Sequence, residues 1–550
     1  ELARKLVGEE VEVVSNDASP TGAKFFVLWT PPIIDLAGSR RRSPNYEATS
    51  ILAHLIRHGV RTIAFAKARK VAELILRYAR DMLKDNPALA ERLASYRAGY
   101  LPEERRDIER RLFKGELLGV SSTSALELGI DIGDLDACII VGYPRSKTSL
   151  WQQAGRAGRR LGASLAFLVA YEDPLDQYFM RHPESLFKGE FDEVILDPDN
   201  RYILGAHLLC AAHELPFQND GRFFPKERAE SVLKRLEAKG LLRKRGEKWY
   251  WTGPGTPAPH FGLRSASSSG YQIVDITKGK VIATVDEARA FETVHPGAIC
   301  LHQGETYLVE ELDIKAKVAK VVPADVDYYT EPRIVKDTRI IEELRSKEVE
   351  NCEAYFGRLR VTEKVIGYRR RQHYTEAILS YHDLDLPERK YDTQGLWLIV
   401  PPRVAHEVAE LGLHLMGGIH AMEHAMIGLL PLFAACDRED VGGISNPFHP
   451  DTAMPTVFIY DAYLGGVGIA ERGFERLKEW MEATLEQVSN CPCEEGCPSC
   501  IQSPKCGSNN EPLDKSACSF ILARLLGRGR KEALDLAERP KRKRQIASAG

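Results

Sequence analysis

From residue 24 to residue 170 the chain repeats one pattern: a short unbroken apolar run, a turn, then a segment with helical apolar spacing. FFVLW (25–29), RTIAFA (61–66), LLGVSST (117–123), ACIIVGY (137–143) and SLAFLVA (164–170) predict strands. ATSILAHLIRHG (48–59), ARKVAELILRYARDML (68–83) and LPEERRDIERRLFKGE (101–116) predict helices, and SYRAGY (95–100) a short strand or loop. Strands that alternate with helices can bury both sheet faces only as a parallel sheet with helices on each side, so the fold class is α/β here. Ligands of such sheets meet the loops at the carboxyl ends of the strands.

Three of those loops carry chemistry. SSTSALELGIDIG (121–133) follows a strand, which sets Thr123, its neighbouring N–H groups and Asp131 where a phosphate can be gripped. YRAG (96–99) precedes a helix whose N-terminus can face phosphate. QQAGRAGRR (152–160) reads as the opening of a further helix, with Arg156 and Arg159 forming a charged fork suited to a polyphosphate. Together, in this order and spacing, the segments resemble the second RecA-like domain (motifs IV to VI) of superfamily 2 DEAD/DEAH-box helicases, over residues 21–170. The resemblance implies that Arg156 and Arg159 reach the γ-phosphate of ATP on a partner domain and stabilise transition-state charge. It also implies that Gly129, Asp131 and Gln152 lie at the nucleotide. Arg97, Gly99, Thr123 and Ser124 would contact a nucleic-acid backbone, and residues 127–131 would couple the two.

A complete motor also needs a G-x-x-x-x-G-K-[ST] loop and a carboxylate for Mg²⁺. Neither GKS nor GKT occurs in these 550 residues. VIATVDEAR (281–289) imitates the acidic strand, but it follows the arginine motif and reads as a strand ending in an acidic turn. ELARKLVGEEVEVV at the start reads as a helix running into a strand, so residues 1–20 are expected to be the tail of a first RecA-like domain. The chain is thus expected to be a C-terminal portion, with ATP and Mg²⁺ belonging to the complete protein and no hydrolysis by this portion alone.

Residues 171–260 read as a linker and a winged helix. FPKERAESVLKRLEAKG (224–240) puts Val232, Leu233 and Leu236 on one helix face, and LLRKRGEKWYW (241–251) alternates around a turn at Arg245–Gly246. A basic hairpin after a helix suits duplex DNA, through Arg243, Arg245 and Lys248; a packing module without DNA contact is the alternative. Residues 261–340 suggest a small β domain, with His295, His302 and Glu305 read as scattered surface groups. Residues 341–530 are expected to form an α+β zinc-binding C-terminal domain, and 531–550 a basic tail. HAMEH (420–424) matches an inverted zinc-protease pattern, but lies in a helix apolar on nearly all sides; buried, hydrogen-bonded histidines are expected. DAYLGGVGIAERGFERL (461–477) places a glycine turn before a helix, as tight packing or a phosphate cradle would.

CPCEEGCPSCIQSPKCG (491–507) spaces five cysteines as C-x-C-x₃-C-x₂-C-x₅-C. Four thiolates so dense suit a closed tetrahedral Zn²⁺ site that supports folding; an iron–sulfur cluster is the alternative. Cys491, Cys493, Cys497 and Cys500 are the favoured ligands, with Cys506 an alternate. The other six of the eleven cysteines are scattered, which points to a reducing compartment, the cytoplasm, rather than a disulfide framework.

Net charge is −3, so nucleic-acid contact must come from local patches such as 40–42, 243–248, 369–371 and 540–544. No apolar run approaches the ~20 residues that span a bilayer, and no membrane partner is expected. In this order the segments resemble, over nearly the whole chain, the MrfA/YprA-type DNA-repair helicases, related to the Hrq-type RecQ-like helicases of fungi. The resemblance implies an ATP-dependent 3′–5′ DNA helicase or translocase of DNA repair. Its implied partners are DNA, as a single-stranded 3′ tail and duplex, and the first RecA-like domain of the same full-length chain. A motor subunit of a restriction or defence system, and a non-motor DNA-binding module, are the alternatives. Motifs IV to VI do not by themselves distinguish DNA from RNA.

Overall fold

Parallel pairing orders the first third of the chain. The computed structural model describes residues 2–7, 9–16, 22–35, 40–128, 133–158, 162–188, 192–197, 200–221, 224, 226–261, 270–373 and 377–538. Six strands, β1 (Lys24–Trp29), β2 (Thr62–Ala66), β3 (Leu93–Tyr96), β4 (Gly119–Ser122), β5 (Ala137–Val141) and β6 (Ser164–Val169), form one sheet in the order β1-β6-β5-β2-β4-β3. Every neighbouring pair is parallel. Helices α1 (Pro44–Arg57) and α2 (Arg69–Met82) bury Leu52, Ile56, Ile75 and Leu76 against one face. On the other face α3 (Pro102–Phe113) contributes Ile108 and Leu112, and α4 (Lys147–Ala154) contributes Leu150 and Ala154. The unbroken apolar strands TIAFA and ACIIV are buried along their whole length and lie centrally. The predicted α/β domain is therefore present. Two local expectations are corrected: the arginine motif ends helix α4 rather than opening one, and residues 11–16 after helix Leu2–Val7 form no strand.

Helices α5 (Arg201–Glu214) and α6 (Lys226–Ala238) pack through Leu204, Leu208, Val232 and Leu233. They hold a hairpin of β7 (Leu242–Arg245) and β8 (Lys248–Trp251), whose Trp249 is buried in the same core. A bridge from Phe217 to Trp249 adds a third extended segment. A five-stranded sheet follows from β9 (Gly270–Asp275), β10 (Lys280–Asp286), β11 (Ile299–His302), β12 (Glu305–Asp313) and β13 (Val318–Pro323), around its own core. VIATVDEAR is the strand β10 running into helix Glu287–Thr293.

The expected boundary at residue 340 is displaced, because Tyr328–Val349 is a single strand, β14, of the C-terminal sheet. It pairs along its length with β15 (Cys352–Gln372). β16 (Ile378–Asp383) joins β15 at one end; β17 (Arg389–Ile399), β19 (Thr456–Asp461) and β18 (Val441–Asn446) complete the sheet antiparallel. Behind it helix α7 (Leu415–Leu429) is buried on every side, enclosed by α8 (Leu477–Asn490) and α9 (Lys515–Leu525).

Candidate functional site: a motor half-site and a cysteine cluster

At the carboxyl end of β4 the chain turns through Thr123, half-buried, and Ser124, exposed, into one turn of 3₁₀ helix. Glu127 closes that turn and is gripped at both ends. Its carboxylate accepts hydrogen bonds from Ser149 Oγ at 2.6 Å and Gln153 Nε2 at 2.9 Å. Its carbonyl accepts from Arg156 Nε at 2.9 Å and Nη2 at 2.6 Å. Glu127, Ser149, Gln153 and Arg156 are all less than a tenth exposed. Lys24 Nζ donates to the carbonyls of Ala154, the last residue of α4, and of Ala157, at 2.8 and 2.6 Å. The motif VI turn is thus pinned from the first strand and from the loop after the fourth.

This places the expected residues unequally. Arg156, read as reaching phosphate, is turned inward onto Glu127. Gln152 is half-buried beside it. Arg159, Gly129 and Asp131 lie outside the described residues. Ser149 and Gln153 were missed by sequence reasoning; their i, i+4 spacing on α4, aimed at a buried acid, was the available signal.

The YRAG loop departs from its expected role. Arg97 is 6% exposed and donates to Glu73 at 2.9 Å and to the Leu301 carbonyl at 3.1 Å. Tyr100 also donates to Glu73, whose second oxygen accepts from Gly304 N at 3.0 Å. Gly99 backs onto β10, where an added Cβ would stand 3.2 Å from the Thr284 carbonyl. A guanidinium buried in a charge pair is no longer available to a phosphate, so Arg97 and Gly99 are corrected from nucleic-acid contacts to a joint between the parallel sheet and the five-stranded sheet. His295 and His302, expected at the surface, are buried too; His302 stands 3.5 Å from Glu104 in the same joint. On the hairpin Arg243, Arg245 and Lys248 are all exposed.

The glycine turn is a packing device. Gly465, Gly466 and Gly468 have φ of +82°, +81° and +96°, a region costly for residues with a Cβ. Buried Asp461 accepts from the N–H groups of Val467, Gly468 and Ala470 at 2.6–2.9 Å, capping helix Ile469–Glu475. Asn200, at the start of α5, donates to the Leu464 and Gly466 carbonyls. The space a phosphate would need is filled by these side chains.

Four Sγ atoms, of Cys491, Cys493, Cys497 and Cys500, lie within 4.8 Å of one another, with the closest pairs at 3.5 Å. Tetrahedral Zn²⁺ with Zn–S of about 2.3 Å requires sulfur separations of about 3.8 Å, so this donor set fits that ion. Buried Lys515 donates to the carbonyls of Cys491 and Cys493 and stands 3.3 Å from the Cys493 sulfur, where its charge opposes that of four thiolates. The Cys497 N–H points to the Cys500 sulfur at 3.3 Å. Cys506 is corrected from alternate ligand: it stands instead 3.4 Å from His420 Nε2 on α7. Arg181, just after the parallel sheet, bonds Gln487, which donates to the Ser499 carbonyl inside the cysteine loop.

Comparisons with known proteins match the same three regions of the chain. Residues 47–160 match the helicase conserved C-terminal domain, 196–266 the winged helix domain of the ATP-dependent helicase HRQ1, and 422–501 the MrfA Zn-binding domain. The chain is 37% identical over 506 residues to the uncharacterized ATP-dependent helicase YprA of Bacillus subtilis, covering 91% of this chain and 67% of that one. It is 34% identical over 551 residues to the ATP-dependent helicase HRQ1 of Saccharomyces cerevisiae, covering 96% of this chain but 51% of the relative. The DUF1998 helicase MrfA, solved bound to DNA, superposes with a TM-score of 0.69 at 35% identity, covering 95% of this chain and 69% of that one. The same helicase bound to DNA and AMPPNP gives 0.67.

Proposed function

The chain belongs to the family of the MrfA, YprA and Hrq1 DNA helicases, and from that premise we propose that it forms the C-terminal portion of an ATP-dependent 3′–5′ DNA helicase of DNA repair. The observation that carries this reading is the double grip on Glu127. A motor must convert the state of its nucleotide into a change of hold on nucleic acid. Thr123 and Ser124 begin the loop that Glu127 ends, and Arg156 stands three residues before Arg159. A displacement of the arginine turn by a γ-phosphate would pass through Arg156 to the Glu127 carbonyl, and so to the loop that faces the strand.

In this reading a first RecA-like domain supplies the phosphate-binding loop and Mg²⁺, Arg159 completes the nucleotide site opposite them, and Arg156 ties its turn to Glu127. ATP and DNA as ligands draw support from a relative solved with DNA and AMPPNP. Polarity and a repair role are what the family resemblance implies. The exposed hairpin Arg243, Arg245 and Lys248 supplies a cationic edge for the duplex ahead of the motor.

The test uses the full-length protein with its P-loop domain. DNA-stimulated ATP hydrolysis and unwinding of duplexes with 3′ or 5′ tails are measured, with RNA duplexes as the control. Arg156→Ala combined with Arg159→Ala is expected to cut turnover by about 10³-fold or more. Full hydrolysis in that double variant would overturn the assignment. The 550-residue chain alone is expected to show no DNA-stimulated turnover.

A further inference from the structure

We propose that His420, His424 and Cys506 form a second metal site, separate from the four-cysteine site, that takes a borderline divalent transition ion of the Zn²⁺ class. Their ligand atoms all lie within 4.8 Å of one another. His420 and His424 are one turn apart on α7, with ring centroids 4.3 Å apart, so both rings project from one face. His420 Nε2 stands 3.4 Å from Cys506 Sγ. An ion with Zn–N of about 2.1 Å and Zn–S of about 2.3 Å sets its nitrogen and sulfur ligands about 3.6 Å apart in a tetrahedron, so the spacing fits.

The proton count points the same way. His420 Nδ1 lies 2.8 Å from the Pro512 carbonyl, and His424 Nδ1 lies 2.9 Å from the Ile501 carbonyl. A carbonyl only accepts, so each Nδ1 carries the hydrogen, and in a neutral ring each Nε2 keeps a lone pair. Both rings are less than a tenth exposed. One thiol offers one hydrogen, which can serve only one of the two Nε2 lone pairs at a time. A cation shared by two Nε2 lone pairs and a thiolate serves both at once. Backbone carbonyls holding the distal nitrogens are also how metal-bound imidazoles are kept in tautomer and orientation.

Glu423, the acid that serves as general base in the HAMEH pattern, is buried, and the third donor here is a thiolate, which sets the site apart from an inverted zinc protease. Two imidazoles and a thiolate favour Zn²⁺ or its neighbours over Mg²⁺ or Ca²⁺. Cys506 is half-buried with Ser508 Oγ at 3.2 Å, which leaves a fourth position on the open side for water or that hydroxyl. The ion would strap the loop after Cys500 onto the central helix of the domain.

The test is metal stoichiometry by elemental mass spectrometry on the purified chain, saturated with Zn²⁺ and desalted, and a parallel Co²⁺ titration followed by visible absorption. Two ions per wild-type chain are expected, and one in Cys506→Ser and in His424→Gln. The Co²⁺ titration should show two spectral steps, the second with about a quarter of the thiolate charge-transfer intensity of the first. One ion per wild-type chain, or a single Co²⁺ step, overturns the proposal even if both variants fail to fold. Two ions retained in well-folded Cys506→Ser and His424→Gln would overturn it as well.

Discussion

The parallel sheet and the cysteine loop hold their chemistry in opposite ways. In the sheet, Glu127 is fixed by neutral and cationic donors at both ends, and its loop hangs from a hydrogen-bonded ladder of six strands. Residues 491–514 contain no helix or strand, and four sulfurs converge there with little backbone ladder behind them. A framework built on strands keeps its site when one donor is lost. A loop whose order comes from its ligands does not.

Losing a metal ligand should therefore have the largest effect, and a confined one. Apparent binding free energies of structural Zn²⁺ reach about 10 kcal/mol or more, and for such a loop binding is folding. Cys500→Ala is expected to abolish zinc at the four-cysteine site and to collapse amide-exchange protection across residues 415–525. Protection in β2, β4 and β5 should persist. Exchange mass spectrometry measures both regions at once, and unchanged protection around α7 would show that the loop stands without its ion.

The joint between the parallel sheet and the five-stranded sheet comes next. Removing one partner of a buried ion pair leaves an uncompensated charge and costs about 3–5 kcal/mol. Glu73→Ala should therefore destabilise strongly, because Arg97, Tyr100 and Gly304 all lose their acceptor. Glu73→Gln should recover part of the loss. Denaturant unfolding quantifies both, and a cost below about 1 kcal/mol for Glu73→Ala would show that the joint is held by its apolar contacts instead.

Inside the motor half-site the expected change is smaller. Gln153→Ala leaves the Glu127 carboxylate with Ser149 as its remaining side-chain donor, a loss of about 1–3 kcal/mol for a buried acceptor. In the full-length protein this should lower the dependence of ATP hydrolysis on DNA more than the hydrolysis measured without DNA. An equal drop in both rates would mean that Glu127 is structural and does not transmit.

The same contrast explains what was legible in the sequence. Strand–helix alternation is local, so TIAFA and ACIIV announce a buried parallel sheet by composition alone, and the close cysteine spacing announces four ligands. Pairing between distant segments has no such signature. The 22-residue strand Tyr328–Val349 crosses the expected boundary at residue 340 because it is largely exposed and charged, so no apolar alternation marks it as one strand before it turns into its partner at Cys352. Cys506 reads as a fifth member of its own cluster, although its nearest ring lies 86 residues earlier on α7. Arg97 reads as a phosphate contact because nothing near it shows that Glu73 and the turn at residues 303–304 enclose it.

The basic hairpin is the smallest test in energy and the sharpest in kind, because it separates binding from stability. Arg243, Arg245 and Lys248 are exposed, and neighbouring Lys244 is occupied by the Trp249 ring at 5.1 Å and Glu230 at 3.4 Å. Replacing the three exposed cations with alanine removes no buried contact, so unfolding should shift by less than about 0.5 kcal/mol. If each cation neutralises a phosphate, the plot of log affinity against log salt should flatten by up to about 3, roughly 1 per contact, on duplexes of any sequence. Fluorescence anisotropy across a salt series reads that slope directly. An unchanged slope would make the hairpin a packing module, and would move DNA contact to the loop at Thr123 and Ser124.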